Sequence, residues 1–411
     1  MSDGRPKAPR PAVERIKAAV ETSDGMTRNA LATLLDLPLG TVTTAVAALI
    51  RSGALVERPI ESDARSAGRP AAELVAAGPV RTLGVVIWTH ARLQTAITTY
   101  GGTILERSEI EIAEQDTVRI ELLEPALRAV CRRVETAERE FAAPDRVVIG
   151  VPAPFQRGVG TPPYRMPVPV PVPLGAAADE AIVAGRGHGG PGFAPWLRTD
   201  PAAQLGTRLG IPVLVENDAN LGALGEAGAG AGRGFGSVLY IKLGERSVGG
   251  GLVLDGDLYR GSAGFAGELA HIHVDDDGPL CGCGGRGCLT SRVGQLLFEL
   301  MQSGYDRPLA FAEVLRLAEA GEPGPTRVLR EVGRTLGRAL ADLCTFLNPA
   351  VLVIDAALGD AGRYVQAGMA EQIENFAAPG AAASLRIELG QLGSAADIVG
   401  AVHLARSEAL R

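Results

Sequence analysis

A chain of 411 residues, 46% apolar and 21% charged, is globular, too long for one core and long enough for two or three domains. A net charge of -7 does not suit a simple nucleic-acid binder, and with no apolar leader or run of about 18 apolar residues the sequence implies a cytoplasmic protein without disulfides or a membrane span. The charge is uneven: residues 1–81 carry 11 Lys/Arg against 9 Asp/Glu and the remainder holds -9, which fits a small DNA-contacting head on an acidic body.

Residues 1–10 are polar, basic and Pro-bearing, and are expected to form a disordered arm. Three helical patterns follow. Val13, Ile16, Ala19 and Val20 make one apolar stripe, and Thr27 is placed to cap a second helix carrying Leu31, Leu34 and Leu35. Leu37-Pro38-Leu39-Gly40 reads as a turn. A third helix spans about Thr41 to Ser52 with Val42, Val46, Leu49 and Ile50 inward, and Gly53 ends it. Leu55-Val56-Glu57 and Ala72 to Val75 read as two short strands around a polar loop. Together these describe a winged helix–turn–helix over residues 11–78, whose third helix fits the major groove of double-stranded DNA and whose ribbon tip reaches phosphates or the minor groove. Thr41, Thr43 and Thr44 face outward on that helix, and Arg65, Ser66, Gly68, Arg69 and Pro70 form the tip. The competing reading is a three-helix protein–protein module, because the third helix has no Arg or Lys before Arg51. Arginine so outnumbers lysine throughout that an isolated Arg is weak evidence for phosphate binding.

From Val80 the pattern changes. R-T-L-G-V-V-I-W-T-H, A-R-L-Q-T-A-I-T-T-Y and G-G-T-I-L-E-R-S-E-I predict three antiparallel strands with Gly101-Gly102 as a turn, then a helix over about Val118 to Phe141 and a strand over Arg146 to Gly150. Thr161 to Gly192 is Pro- and Gly-rich and predicts a long loop over a cleft. The helix Ala202 to Leu209, the strand Val213 to Glu216 and the segment Glu216-Asn217-Asp218-Ala219-Asn220 are expected to open a second lobe. Asn217 and Asp218 stand at a strand exit, where α/β folds place ligand contacts, though both residue types also suit a helix N-cap.

The densest chemistry lies between Gly267 and Thr290. Cys281, Cys283 and Cys288 are spaced C-x-C-x4-C, and His271 and His273 precede them. Three thiolates and one imidazole make a closed tetrahedral set of the kind that holds structural Zn²⁺. I-H-V reads as a strand on which both imidazoles share a face, so spacing alone does not choose between them. Beyond it, a helix over Thr326 to Leu347 stops at Asn348-Pro349, a strand covers Val351 to Asp355, and a last helix begins near Asp397.

The stretch G-E-L-A-H…C-G-C-G-G-R-G-C-L-T resembles the signature of the ROK family of repressors and sugar kinases, through Gly267, Glu268, His271, Cys281, Cys283, Gly284, Gly287 and Cys288. The resemblance selects His271 over His273 as the fourth ligand. It implies an α/β, actin-like (ribonuclease H-like) two-lobed sugar-kinase fold behind the winged head. The small lobe would cover 79–198, joined by the terminal helix 395–411, and the large lobe 199–394. It also implies a monosaccharide or sugar-phosphate site at Asn217, Asp218, Glu268 and His271, with Asp218 in the position of the kinases' base. Ala270 and Thr290 depart from the pattern, Thr290 standing where family members carry a sugar-contacting Glu. The nucleotide side departs more. Val86-Ile87-Trp88-Thr89-His90 lacks the carboxylate and bare backbone that Mg²⁺ and phosphates need. The second phosphate loop carries Glu245 within Gly244 to Gly251, and Asp355-Ala356-Ala357 replaces a glycine pair. ATP is therefore not expected as a cofactor. The leading reading is a non-enzymatic, sugar-responsive regulator, a homodimer or dimer of dimers on an inverted-repeat operator. The alternatives are a hexose kinase that kept a DNA-binding head, and a regulator answering to a protein partner.

Overall fold

The structure, a computed structural model, describes residues 11–59, 72–89, 92–111, 120–134, 140–160, 197, 199–244, 247–281, 283–303 and 305–410. The arm 1–10, the wing-tip residues Arg65, Ser66, Gly68, Arg69 and Pro70, the Pro/Gly-rich segment 161–192 and Glu245 lie outside them.

Helices α1 (Ala12–Glu21), α2 (Arg28–Leu35) and α3 (Leu39–Arg51) bury Ile16, Val20, Leu31, Leu35, Val42, Val46 and Leu49 in one small core. The Thr27 hydroxyl accepts the Ala30 N–H at 3.2 Å and so caps α2 as expected. Val13 and Leu34, expected inward, are exposed at the margins of their stripes, and Leu34 instead faces a cavity shared with the body. Strands β1 (Leu55–Pro59) and β2 (Ala72–Ala76) pair antiparallel, with Pro59 opposite Ala72.

Two five-stranded sheets carry the rest. The first has the order β5-β4-β3-β6-β7, from β3 (Thr82–Trp88), β4 (Arg92–Thr99), β5 (Ile104–Glu111), β6 (Val147–Val151) and β7 (Val213–Asn217), with α4 (Ile120–Val130) and α5 (Pro201–Leu209) on its outer face. β3 to β5 form the expected antiparallel meander, while β3, β6 and β7 run parallel. After α6 (Asp218–Ala229) comes the second sheet, in the order β10-β9-β8-β11-β12. Its strands are β8 (Ser237–Leu243), β9 (Val248–Leu254), β10 (Asp257–Leu258), β11 (Val351–Ile354) and β12 (Arg386–Leu389). Helices α7 (Leu289–Ser303), α8 (Phe311–Glu319), α9 (Pro323–Leu347), α10 (Gly362–Phe376), α11 (Pro379–Ser384) and α12 (Ala396–Leu410) complete the chain.

Two expectations fail. The helix expected to reach Phe141 ends at Val130; Phe141 bridges to Val80, and the Ala142 N–H reaches the Val80 carbonyl at 2.8 Å, so pairing at the sheet edge wins over helical continuation. Strand β7, expected to open the large lobe, is instead the edge of the first sheet, with Val147 opposite Val213 and Val151 opposite Asn217. Its Val213 and Val215 are buried with α5 in the first sheet's outer core.

The packing sets five layers. α6 and α12 fill the space between the sheets, where Leu83, Val85 and Ile87 of β3 meet Leu221 and Leu224 of α6, Val238 and Tyr240 of β8, and Ile398, Val402 and Leu404 of α12. These two helices touch without an intervening side chain: a Cβ on Gly225 would sit 2.1 Å from the Ala396 carbonyl oxygen, and one on Gly400 would sit 1.8 Å from that of Leu221. The buried Glu226 carboxylate accepts backbone N–H groups from Ala231, Gln391 and Leu392 at 2.8 to 3.1 Å, anchoring the segment that leads into α12. No single described helix is long and apolar enough to cross a membrane.

Candidate functional site

His271 closes a short 3-10 turn, Leu269–His271, made by the His271 N–H reaching the Glu268 carbonyl; the expected strand here is not formed. The cysteine loop folds back on this turn. Gly287, at φ 64, lies so close to Asp275 that a Cβ would fall 1.6 Å from its carbonyl oxygen, so the loop closes only with glycine there. The ligand atoms of His271, Cys281, Cys283 and Cys288 consequently lie within 4.8 Å of one another. His271 Nδ1 is 3.6 Å from Cys281 Sγ, and Cys283 Sγ is 3.6 Å from Cys288 Sγ. A tetrahedron with metal–sulfur bonds of about 2.3 Å has edges of about 3.8 Å, so the donor set and its spacing fit a four-coordinate ion. Burial raises the Cys281 thiol, but hydrogen bonds from His271 and Ser291 outweigh it and bring the pKa to about 6, toward the thiolate a metal requires. His273 points elsewhere, its ring 3.5 Å from Asp276.

Beside this cluster lies a cavity of about 360 Å³ lined by Phe265, Glu268, His271 and Cys283. His271 thus belongs to both: Nδ1 faces the cysteines, while Nε2 is buried with no partner among the described residues. Burial pushes the Glu268 carboxyl up to about 7, with His271 opposing and Asp218 adding to the rise. Asp218, at the start of α6, therefore lies within electrostatic reach of the cavity. Asn217 takes the alternative role: its side chain accepts the Asn220 N–H at 3.0 Å as the cap of α6 and donates to the Ala153 carbonyl at 3.1 Å. Thr290 is engaged as well, its hydroxyl accepting the Val248 N–H at 3.2 Å.

Three participants were not read from the sequence. Lys242, on β8, places its ammonium 2.9 Å from Asp218 Oδ2 and 2.7 Å from Asp397 Oδ2, while Asp218 Oδ1 accepts the Ala219 N–H at 2.9 Å. Burial works against that ammonium, but Asp218 and Asp397 outweigh it and hold its pKa above the ordinary lysine value. Asp397 is pushed up to about 6 by burial, Lys242 opposing and Asp218 adding. Phe265 is the third, an aromatic wall in a loop of glycines. The only signals were a lysine in a chain of arginines and an aromatic in G-S-A-G-F-A-G.

On the nucleotide side, β3 continues as strand through Trp88, and Gly249, Gly250 and Gly251 lie inside β9 rather than in a loop. A Cβ on Gly250 would meet the Gly267 carbonyl oxygen at 2.8 Å, so that glycine serves close packing. Asp355 is buried and accepts the Ala357 N–H at 3.0 Å. In the head, Thr41, Thr43 and Thr44 are exposed on α3 as expected, and the hydroxyls of Thr43 and Thr44 donate to the carbonyls of Leu39 and Gly40 at 2.9 and 3.0 Å.

A model of the ROK family matches residues 191–408. A glucokinase of Streptomyces coelicolor is 33% identical over 236 residues, 52% of this chain and 74% of the enzyme. A xylose repressor of Bacillus subtilis is 30% identical over 160 residues, 39% of this chain and 41% of the repressor. Among solved structures, a ROK family transcriptional regulator described as a homolog of the E. coli MLC protein matches with a TM-score of 0.69 and 22% identity over 97% of both chains. A ROK family glucokinase from Streptomyces griseus, in complex with glucose and AMPPNP, matches with a TM-score of 0.60 and 24% identity over 79% of this chain and 99% of that chain. At these identities the two structural likenesses carry the fold.

Proposed function

The chain belongs to the ROK family, and from that premise we propose that it is a sugar-responsive DNA-binding regulator whose kinase-like body senses without phosphorylating. The observation that carries the reading is the head. The solved regulator covers 97% of this chain where the solved glucokinase covers 79%, and the difference is about the size of α1 to β2. Exposed Thr41, Thr43 and Thr44 on α3, with Arg65, Ser66 and Arg69 between the ribbon strands, are the proposed contacts to an inverted-repeat operator bound by a homodimer.

The proposed effector is a monosaccharide held by Asp218, Glu268 and His271, with Asn217 positioning the helix start. Zn²⁺ is the metal proposed for His271, Cys281, Cys283 and Cys288, and with four protein ligands its contribution is to hold the loop. With Nδ1 on the metal, Nε2 would be an N–H donor toward the cavity, and the carboxylates would accept from vicinal hydroxyls. Asp218, with one oxygen on Lys242 and the other on a backbone N–H, is poorly placed to take a proton from a hydroxyl.

Footprinting on DNA upstream of the protein's own gene, repeated with a sugar panel, tests the reading; release of an operator by one sugar is expected, and Asp218→Ala should abolish release while leaving DNA binding intact. The similarity to glucokinases supports one competing reading, a kinase with a DNA-binding head. Turnover of any hexose in a coupled ATP assay would overturn the regulator-only conclusion.

A further inference from the structure

We infer that Lys242 and Asp397 couple the candidate sugar pocket to the DNA-binding head through helix α12, an inference that rests on the regulator reading for its purpose but not for its test. One ammonium serves two carboxylates on two helices, Asp218 at the start of α6 and Asp397 in the first turn of α12. A hydroxyl donor arriving at Asp218 competes with that ammonium for the carboxylate and shifts the ammonium toward Asp397. The pocket's occupancy is thereby written onto the first turn of α12.

The helix is built to carry the change. Its 15 residues extend about 22 Å without a break. Against α6 it has no slack, because Gly225 meets the Ala396 backbone, Gly400 meets that of Leu221, and Gly228 meets the ring of His403. Close-packed contacts of this kind transmit displacement instead of absorbing it. At the far end Leu410 packs against the head's core, the Arg406 guanidinium lies in the field of Asp24 between α1 and α2, and Glu408 holds Arg157 at 2.6 Å. Helix α1 packs directly on α12.

The joint itself is loose on one side. A cavity of about 270 Å³ separates Leu34 of α2 from His403, Arg406 and Leu410. The head is thus not packed tightly against α12 on this side, while Asp24 and Glu21 hold it to Thr99, Thr103 and Arg81 at the first sheet. A purely stabilising role accounts poorly for the triad, since a buried ion pair seldom outweighs its own desolvation. Lysine also suits the shared position, as a compact charge that two carboxylates from different directions can hold.

Hydrogen–deuterium exchange on the full chain, without any sugar, tests the coupling in wild type, Lys242→Met, Asp397→Asn and Leu410→Ala. Disrupting the triad should speed exchange by about threefold or more both in the first turn of α12 and in the head helices Ala12–Glu21 and Arg28–Leu35. Coupling is reciprocal. Leu410→Ala, which touches nothing near the pocket, should accordingly speed exchange around Asp397 to Gly400, and this variant decides the matter if the triad variants fail to fold. Changes confined to the mutated end in each variant would overturn the inference. A sugar panel that gives no binding heat would remove the effector reading and leave this coupling standing, so the two fail separately.

Discussion

The two ring nitrogens of His271 face different groups, Nδ1 the cysteine cluster and Nε2 the cavity. Because the three cysteines and this ring close one tetrahedron, losing a single thiolate should lose the ion. Wild type is expected to purify with roughly one Zn²⁺ per chain, and Cys283→Ala with less than about one-tenth of that and a lower melting temperature. Metal analysis of chelator-free protein checks this. Asp397 permits a test by pH. A carboxyl whose pKa is higher folded than unfolded stabilises the fold while protonated; that contribution is complete below about pH 4 and fades as the pH rises through about 6. Between about pH 5 and pH 8 wild type should therefore lose stability relative to Asp397→Asn, on the order of 1–2 kcal/mol, in urea denaturation. Parallel curves would remove the assignment. The cysteine ligands were legible in the sequence because metal loops keep them close along the chain. Lys242 was not, since Asp397 lies 155 positions away and only the fold brings them together.

At the scale of elements, the glycines of α6 and α12 matter more than their apolar residues suggest. Gly400→Ala should cost about 2–3 kcal/mol, because its Cβ meets the Leu221 backbone, which cannot rotate away. Gly294→Ala in α7, where nothing lies within 4 Å of the added carbon, should instead be neutral or stabilising by about 0.5–1 kcal/mol. Thermal melts of the pair separate crowding from helix propensity. Local pattern located the elements of the head, the first sheet and the long helices α9 and α12, since apolar period and turn residues are local properties, but it left β8, β9, β12 and the helices α6, α7, α8 and α10 unread. It placed β7 in the wrong lobe because a parallel edge strand carries no mark of the sheet it joins, and it ran α4 on to Phe141 because a helical stripe does not record a competing bridge to Val80.

At the scale of the molecule, the proposed operator binding sets a slightly basic head against an acidic body. Arg69 belongs to the sequence-predicted wing tip, and on the proposed function Arg69→Ala should weaken operator binding at least about tenfold and lower the salt dependence of log Kd by about one phosphate contact. Fluorescence anisotropy across a salt series measures both quantities, and an unchanged slope would take the contact away from Arg69.

The position of α12 between the sheets also orders events during synthesis. The first sheet is complete once β7 leaves the ribosome, yet part of the cover for its inner face is α12, made roughly 180 residues later, or on the order of 10–40 s at typical elongation rates. Throughout that interval Leu83, Val85 and Ile87 lack one of the helices that shield them in the finished protein. The head, tied at Leu410 to the same late helix, reaches its final seat only when the body does. A half-made chain would accordingly lack the joint that aligns the head.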